Sequence, residues 1–596
     1  MNRAPTWPGG LASRGRKRQR GVASVLAAIW LLVAVAALGV IDVGNVFYQR
    51  RVLQNVADLA ANAGAQVVDD TCARAPATAL GSAGANGFNA SASGSTITTS
   101  CGRWDPTLYA APSYFAAAAT PSNAVQVTVA RQVPYFFLGA GRVVTATGLA
   151  QAVNVGAFSI GTTTASVDPT VITGLLNAML GTNINALQIS AVGYAGLAQS
   201  RIEIGDLVAA AGVGTVDQLL ALNVTAAQLA RLMLTALQTT HVANVNLSAA
   251  IGALQAVVSA NIAGSPSFAI GAVNGAAGLL QLGLADTQSA LHATINPLDA
   301  LLVSAEIAQA GKSALNVGTG LNLGVASATL QVQVIQPPVL AVGEAGKTRA
   351  GAWRTVARSA QVRAYLNISV GPLQGLGLLS ALLSGLIPQV KLPIYIEVAP
   401  GMAWLQSTRC VATAAASTSV IGVQAGIANV CVGDPPANMS ASAPFSCSQP
   451  ATLVYVPNLL IPSLPLLTIT TAAALPATVP AGSAATLTFD GIVGNADDYQ
   501  TTSSNAVGGV LATALSGLAA SLSRQNGLSV TGLATLGLPL GPFVSAVLGV
   551  VVGLLTPILS ALDLILVPVL QLLGAQVGVS TVHDISLTCG QSQLQY

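Results

Sequence analysis

The chain has 596 residues, of which 52% are hydrophobic, 7% charged and 4% aromatic, with 60 glycines. An ordinary soluble domain is about 25% charged, so highly charged disorder and nucleic-acid binding are both excluded. The net charge is +3, but residues 1–51 hold eight of the 23 Lys and Arg against a single acid, Asp42, which leaves 15 bases and 19 acids over the remainder. The basic excess is therefore an N-terminal tag and not a binding surface.

Residues 21–41 carry no charge, and the apolar run continues past Asp42 to Phe47. About 20 apolar residues rising ~1.5 Å each match the roughly 30 Å hydrocarbon core, so 21–47 is predicted as a transmembrane helix. Six bases (Arg3, Arg14, Arg16, Lys17, Arg18, Arg20) and no acid precede it. That bias assigns residues 1–20 to the cytoplasm as a basic tail and residues from 50 onward to the outside. Arg50 and Arg51 mark the far boundary, where their aliphatic stems can snorkel. Asp42 marks the same boundary, or else is a charge partner for another membrane helix. The rival reading is a cleaved signal peptide with Ala34-Val35-Ala36 as its small-residue site, giving a secreted or cell-surface interaction protein. Beyond Asp42 the helix is expected to run without a breaker to about Val68, with Leu53, Ala57, Ala60 and Gly64 at helical spacing.

The stretches Arg20-Gly21-Val22-Ala23, Leu38-Gly39-Val40-Ile41-Asp42-Val43-Gly44 and Tyr48-Gln49-Arg50-Arg51 through Ala61 resemble the N-terminal segment of the TadE/TadG-like Flp pilus-assembly family. Asn123–Arg131, Val133–Phe137, Gly193–Ala198 and Gln336-Pro337-Pro338 resemble the exported region that follows this segment in TadG-like proteins. The resemblance implies a pilin-like long helix anchoring a large exported mixed α/β region, and partners among other pilus-assembly or secretion proteins. It also implies a place in the bacterial inner membrane, with the bulk of the chain periplasmic or exported. Leu26 stands five residues after Gly21, where a prepilin-peptidase substrate carries Glu, so processing into a pilus subunit is not implied. Nor is there the Asp-x-Ser-x-Ser metal motif of a von Willebrand A domain.

The fold expected is α+β. Residues 48–155 form an exported α+β region, 156–315 are mainly helical, 316–530 mainly β with loops, and 531–575 an apolar helical hairpin or a second span. Residues 576–596 end the chain as a strand. In chain order, a Gly/Ser/Ala-rich loop over 79–100 precedes strands over Ala124–Val129 and Arg142–Ala152. Helical spacing then runs through Val171, Leu175, Leu176 and Met179, and through Leu219, Leu220, Leu222 and Leu229–Leu237, with starts at Asp168-Pro169 and Thr225. Alternation returns in Thr319–Ile335, Ser359–Ser369 and Leu392–Val398. The Pro/Ser/Ala-rich stretches 432–448 and 475–484 read as loops. Phe543–Leu562 is apolar enough to span, but Pro539, Pro542, Pro557 and Pro568 interrupt the segment.

Six cysteines (Cys72, Cys101, Cys410, Cys431, Cys447, Cys589) all fall on the outer side. An even number in an exported chain reads as disulfides. Cys72 and Cys101 lie about 300 residues from the others and are expected to pair together, closing the loop Ala73–Ser100; the other four leave three connectivities open.

Motifs for chemistry are weak throughout. Ala341–Thr348 has the loose phosphate-loop spelling, but Pro337-Pro338 before it and Arg349–Trp353 after it favour a strand-connecting turn. His241, His292 and His583 lack a nucleophile partner in the sequence, and His583-Asp584 reads as a surface or edge pair whose side chains point to opposite faces. Trp353–Arg358 reads as a half-buried strand with snorkelling arginines, or else as a partner-binding face. The expectation is a non-enzymatic membrane protein with no cofactor, no metal, no nucleic acid and no small-molecule substrate. A third reading, a membrane-perturbing protein acting through 532–570, rests on the apolar content of that segment alone.

Overall fold

The structure is a computed structural model that describes residues 20–595 apart from 70, 107, 138, 162–168, 181–188, 241, 243, 245, 261–265, 273–276, 317–320, 323–325, 349, 371–389, 412, 436–443, 457–464, 466, 480–482, 504–526, 533–569, 571–572, 574, 576–578 and 591. His241, Asp168 and the proposed span Phe543–Leu562 thus lie outside the described residues. The chain forms two compact units: Met1–Gly102 with Ala124–Gln151 and Ser592–Tyr596, and Arg103–Asn123 with Ala152–Gln591.

The N-terminal unit is built on α1, a single helix of 46 residues from Arg20 to Ala65. Its second half buries Leu53, Val56, Ala57, Ala60, Ala61 and Ala65, the i, i+3, i+4, i+7 stripe of a helix packed on one face. Against that stripe lie α2 (Ala75–Ala85) and a sheet in which Ala124–Val133 is paired antiparallel with Ser95–Trp104 on one side and Arg142–Gln151 on the other. Val125, Val127 and Val129 alternate into the core, as a half-buried strand requires. The chain's last strand, Gln593–Leu594, pairs with Ala150 and Gln151 and so returns the C-terminus to this sheet.

One expectation from the sequence differs in this unit. The 79–100 stretch is not a loop: Ala75–Ala85 is helical and Ser95–Trp104 is a strand. Low-complexity Ala/Gly/Ser reads as linker, yet Pro76 in the first turn and Ala75, Ala79 and Ala83 at i, i+4, i+8 give α2 a flat buried face. Small side chains let it lie close against α1, where Ser82 Oγ donates to Leu59 O at 3.1 Å. The close approach elsewhere depends on glycine: a Cβ on Gly148 would sit 2.6 Å from the Ala57 backbone.

In the larger unit the central element is a seven-stranded sheet in the order Tyr499–Ser503, Val579–Thr588, Val155–Ile160, Leu340–Gly343, Gly278–Gly283, Phe268–Gly271, Asn223–Val224. Val155–Ile160 is buried at every position. It presents Val155 and Ala157 to a core shared with the helices and Phe158 and Ile160 to a separate core shared with a four-stranded sheet. A strand covered on both faces reads as a continuous apolar run, which is why it was absorbed into a region expected to be helical. The helices over 169–309 pack on the first face; Thr225 heads one of them (Ala226–Thr239) with a capping box closed by Gln228. Residues 315–531 supply every strand of a ten-stranded sheet, including Ala326–Gln336, Gln361–Val370 and Val390–Val398. Leu475–Val479, expected as loop, is a strand paired with Ala428–Val432; Pro476 hid it, since proline is tolerated where its missing N–H is not needed by a neighbour.

The Gly148 contact gives a direct test of how α1 is seated. Gly148→Ala is expected to force α1 off the sheet and destabilise the N-terminal unit by about 1–3 kcal/mol. Urea-dependent pulse proteolysis of the full chain in detergent, following a fragment from α1, measures it; an unchanged midpoint means the helix does not pack there.

Candidate membrane-anchoring site

Helix α1 changes environment along its length. Residues 21–36 are all exposed and include Trp30, Leu31, Leu32 and Val33, whereas from Leu53 onward the helix is buried along one face. Among the described residues α1 is the one helix long and apolar enough to cross a membrane. From Gly21 to Ile41 it extends about 31 Å, the depth of a hydrocarbon core. Arg20 is its first residue. Arg50 and Arg51 are exposed, two turns beyond Asp42.

Asp42 does not face solvent. It is fully buried, with Oδ1 accepting the backbone N–H of Phe136 at 2.7 Å and Oδ2 that of Phe137 at 3.0 Å. A charge at the end of an apolar span is costly unless its oxygens are bonded, and consecutive amides of a loop satisfy both. The loop follows the strand Ala124–Val133 and so is held by the sheet that α1 packs against. Both phenylalanines are exposed, 65% for Phe136 and 53% for Phe137.

Residues 21–67 match a family model described as Flp pilus-assembly TadE/G-like, and residues 63–153 match one described as Tad-like Flp pilus-assembly. Residues 21–153 are of the Flp/Tad pilus-assembly type. The matched Tad region covers α1, α2 and the paired strands up to Gln151, most of the N-terminal unit. Gly193–Ala198 and Gln336–Pro338 lie outside it. No curated protein and no solved structure matches the chain.

The cysteines form three disulfides: Cys72–Cys101 within the Tad region, and Cys410–Cys589 and Cys431–Cys447 in the larger unit. The second ties the C-terminal segment to the middle of the chain, closing 179 residues.

Outside the Tad region His292 stays exposed near Glu203, whereas His583 and Asp584 find polar partners inside the core. His583 and Asp584 are both buried, on a strand with neighbours on either side, and so are neither a surface nor an edge pair. The two do face opposite ways. His583 Nδ1 meets Asp299 Oδ2 at 2.8 Å and stacks on Tyr499, while Asp584 accepts from Ser419 Oγ at 3.0 Å. Ser159, the cross-strand neighbour of His583, donates to the same Asp299 oxygen at 2.7 Å. Ser159 Oγ and His583 Nδ1 are thus both bonded to one oxygen of the Asp299 carboxylate. Asp299 is fixed in turn by Asn296, which caps its helix and donates to three backbone carbonyls, Leu197, Ala198 and Ser200.

The phosphate-loop spelling at 341–348 is a strand followed by a hairpin. Leu340–Gly343 is sheet, Glu344 pairs with buried Arg103 at 2.6 Å, Lys347 is bridged to Trp353, and Thr348 N–H donates to Ala352 O. Trp353 stacks on Trp404 and lies under Lys347 Nζ, and Arg354 reaches toward Asp105. This aromatic-basic cluster belongs to the fold of the hairpin.

Burial pushes the Asp584 carboxyl from the ordinary 3.8 to about 7, opposed by the Ser419 hydrogen bond. A raised folded value means the native state holds the proton longer than the unfolded chain. Its stabilising contribution is full below pH ~4 and is lost as pH rises to about 7. Asp584→Asn is therefore expected to stabilise the full chain at pH 8, by up to about 4 kcal/mol, and to have little effect at pH 4. Unfolding midpoints across pH 4–8 test this; a variant destabilised at pH 8 contradicts it.

Proposed function

We propose that the chain is a non-enzymatic, membrane-anchored component of a Flp/Tad pilus-assembly or allied secretion system. It is held in the bacterial inner membrane by α1, with residues 1–20 cytoplasmic and the chain from residue 50 onward periplasmic. The observation that supports this best is the continuity of α1: one unbroken helix has an outward-facing apolar half and a buried half, within the stretch that matches the Tad models. The excess of bases before residue 21 supports the orientation, and three disulfides fit an oxidising compartment. A scaffolding role agrees with the larger unit, where Ser159, Asp299 and His583 are locked together inside the core.

The test is a topology and redox map with a deletion strain beside it. A membrane-impermeant maleimide is expected to label the chain from outside the inner membrane only after reduction, with the intact chain in the membrane fraction. Loss of surface pili or of the dependent secretion on deletion, restored by the full chain and not by a chain lacking 20–47, completes it. A soluble chain shortened near Ala37 would overturn the anchor, and normal piliation and secretion in the deletion strain would overturn the assembly role.

A further inference from the structure

We propose that the Pro134–Phe137 loop is a second membrane contact, with the Phe136 and Phe137 rings seated in the lipid interface where α1 emerges and Asp42 acting as the positioning residue. This rests on α1 being a span. Three observations converge on the same level of the helix. The uncharged run of α1 ends at Ile41, and the next residue is the buried Asp42. The amides of Phe136 and Phe137 are both bonded to that carboxylate, so the loop cannot lie elsewhere along α1. The rings themselves are bare, 6.3 Å apart, and the α1 surface at this level is also apolar and bare at Ile41, Val43 and Phe47.

Removing phenyl carbon from water is favourable, so two adjacent exposed rings call for an apolar occupant. Continuity with the lipid-facing half of α1 identifies it as the acyl-chain boundary of the bilayer itself. The division of labour is chemical. Backbone N–H groups are used up on the carboxylate, which removes two polar groups from the surface that meets lipid and leaves aromatic carbon there. A carboxylate that would repel lipid becomes the bracket that holds two apolar wedges against it. Two anchoring points also restrict the tilt of the exported sheet against the bilayer, which a single helix does less well.

The experiment uses the full chain in phosphatidylcholine/phosphatidylglycerol vesicles, with a diazirine amino acid in place of Phe136, Phe137, Val33 or Leu59, one at a time. Irradiation is followed by mass spectrometry of lipid adducts, and a non-reducing gel verifies the Cys72–Cys101 bond in each variant. Val33 reports the span; Leu59, exposed and 17 residues beyond Asp42, lies roughly 26 Å past it. Adducts at 136 and 137 as well as 33, and none at 59, are the expected result. Adducts at 33 alone overturn the second contact and leave the span standing; no adduct at 33 overturns the span. Asp42→Leu is expected to lose the adduct at 137 while keeping that at 33, and Asp42→Asn, which keeps an acceptor oxygen, to retain part of it. Unchanged labelling at 137 in Asp42→Leu overturns the positioning role.

Discussion

The two hydrogen bonds of Asp42 join the halves of α1, one apolar and exposed, the other packed along one face against protein. Upstream, exposed apolar side chains have no protein to cover them; downstream, the Leu53–Ala65 stripe is covered by α2 and the sheet. The carboxylate marks the switch because it is bonded to a loop that the sheet itself supplies. The register of the N-terminal sheet, the close approach at Gly148 and the depth of the helix are thus linked through one rigid rod, and a shift of α1 by a single turn would break all three.

Both units depend on chain that arrives late. The N-terminal sheet gains its last strand from Gln593–Leu594. In the larger unit, Val579–Thr588 fills the gap between Tyr499–Ser503 and Val155–Ile160, and Cys589 locks it to Cys410. Pairing across such separations requires loop closure before any contact rewards it. Folding of either unit is therefore completed only when the C-terminal segment has been made, and the Cys410–Cys589 bridge then holds that segment in place.

Local signals explain what was legible in the sequence. The apolar run of α1 is written in composition and needs no partner to be recognised, and strands such as Gln361–Val370 alternate against a single core. Legibility fails where meaning lies in a distant partner. Asp42 is satisfied by backbone amides 94 and 95 residues away, and a backbone donor leaves no mark in a sequence. His583 meets Asp299 across 284 residues and Arg103 meets Glu344 across 241. α2 failed for a different reason: alanine is both the best helix former and the commonest filler in this chain, so its pattern does not stand out.

The scarcity of charge gives those distant pairs a role beyond their energy. Buried ion pairs add little net stability, and a chain made mostly of Ala, Val, Leu and Gly offers its strands many apolar registers of similar merit. A one-residue slip of Val579–Thr588 would turn His583 toward Ser419 and Asp584 toward Asp299, placing a carboxylate against a carboxylate in the core. The same slip would part Ser159 from its cross-strand neighbour. Few charges, placed inside, thus penalise the wrong pairings of a repetitive apolar sequence more than they stabilise the right one.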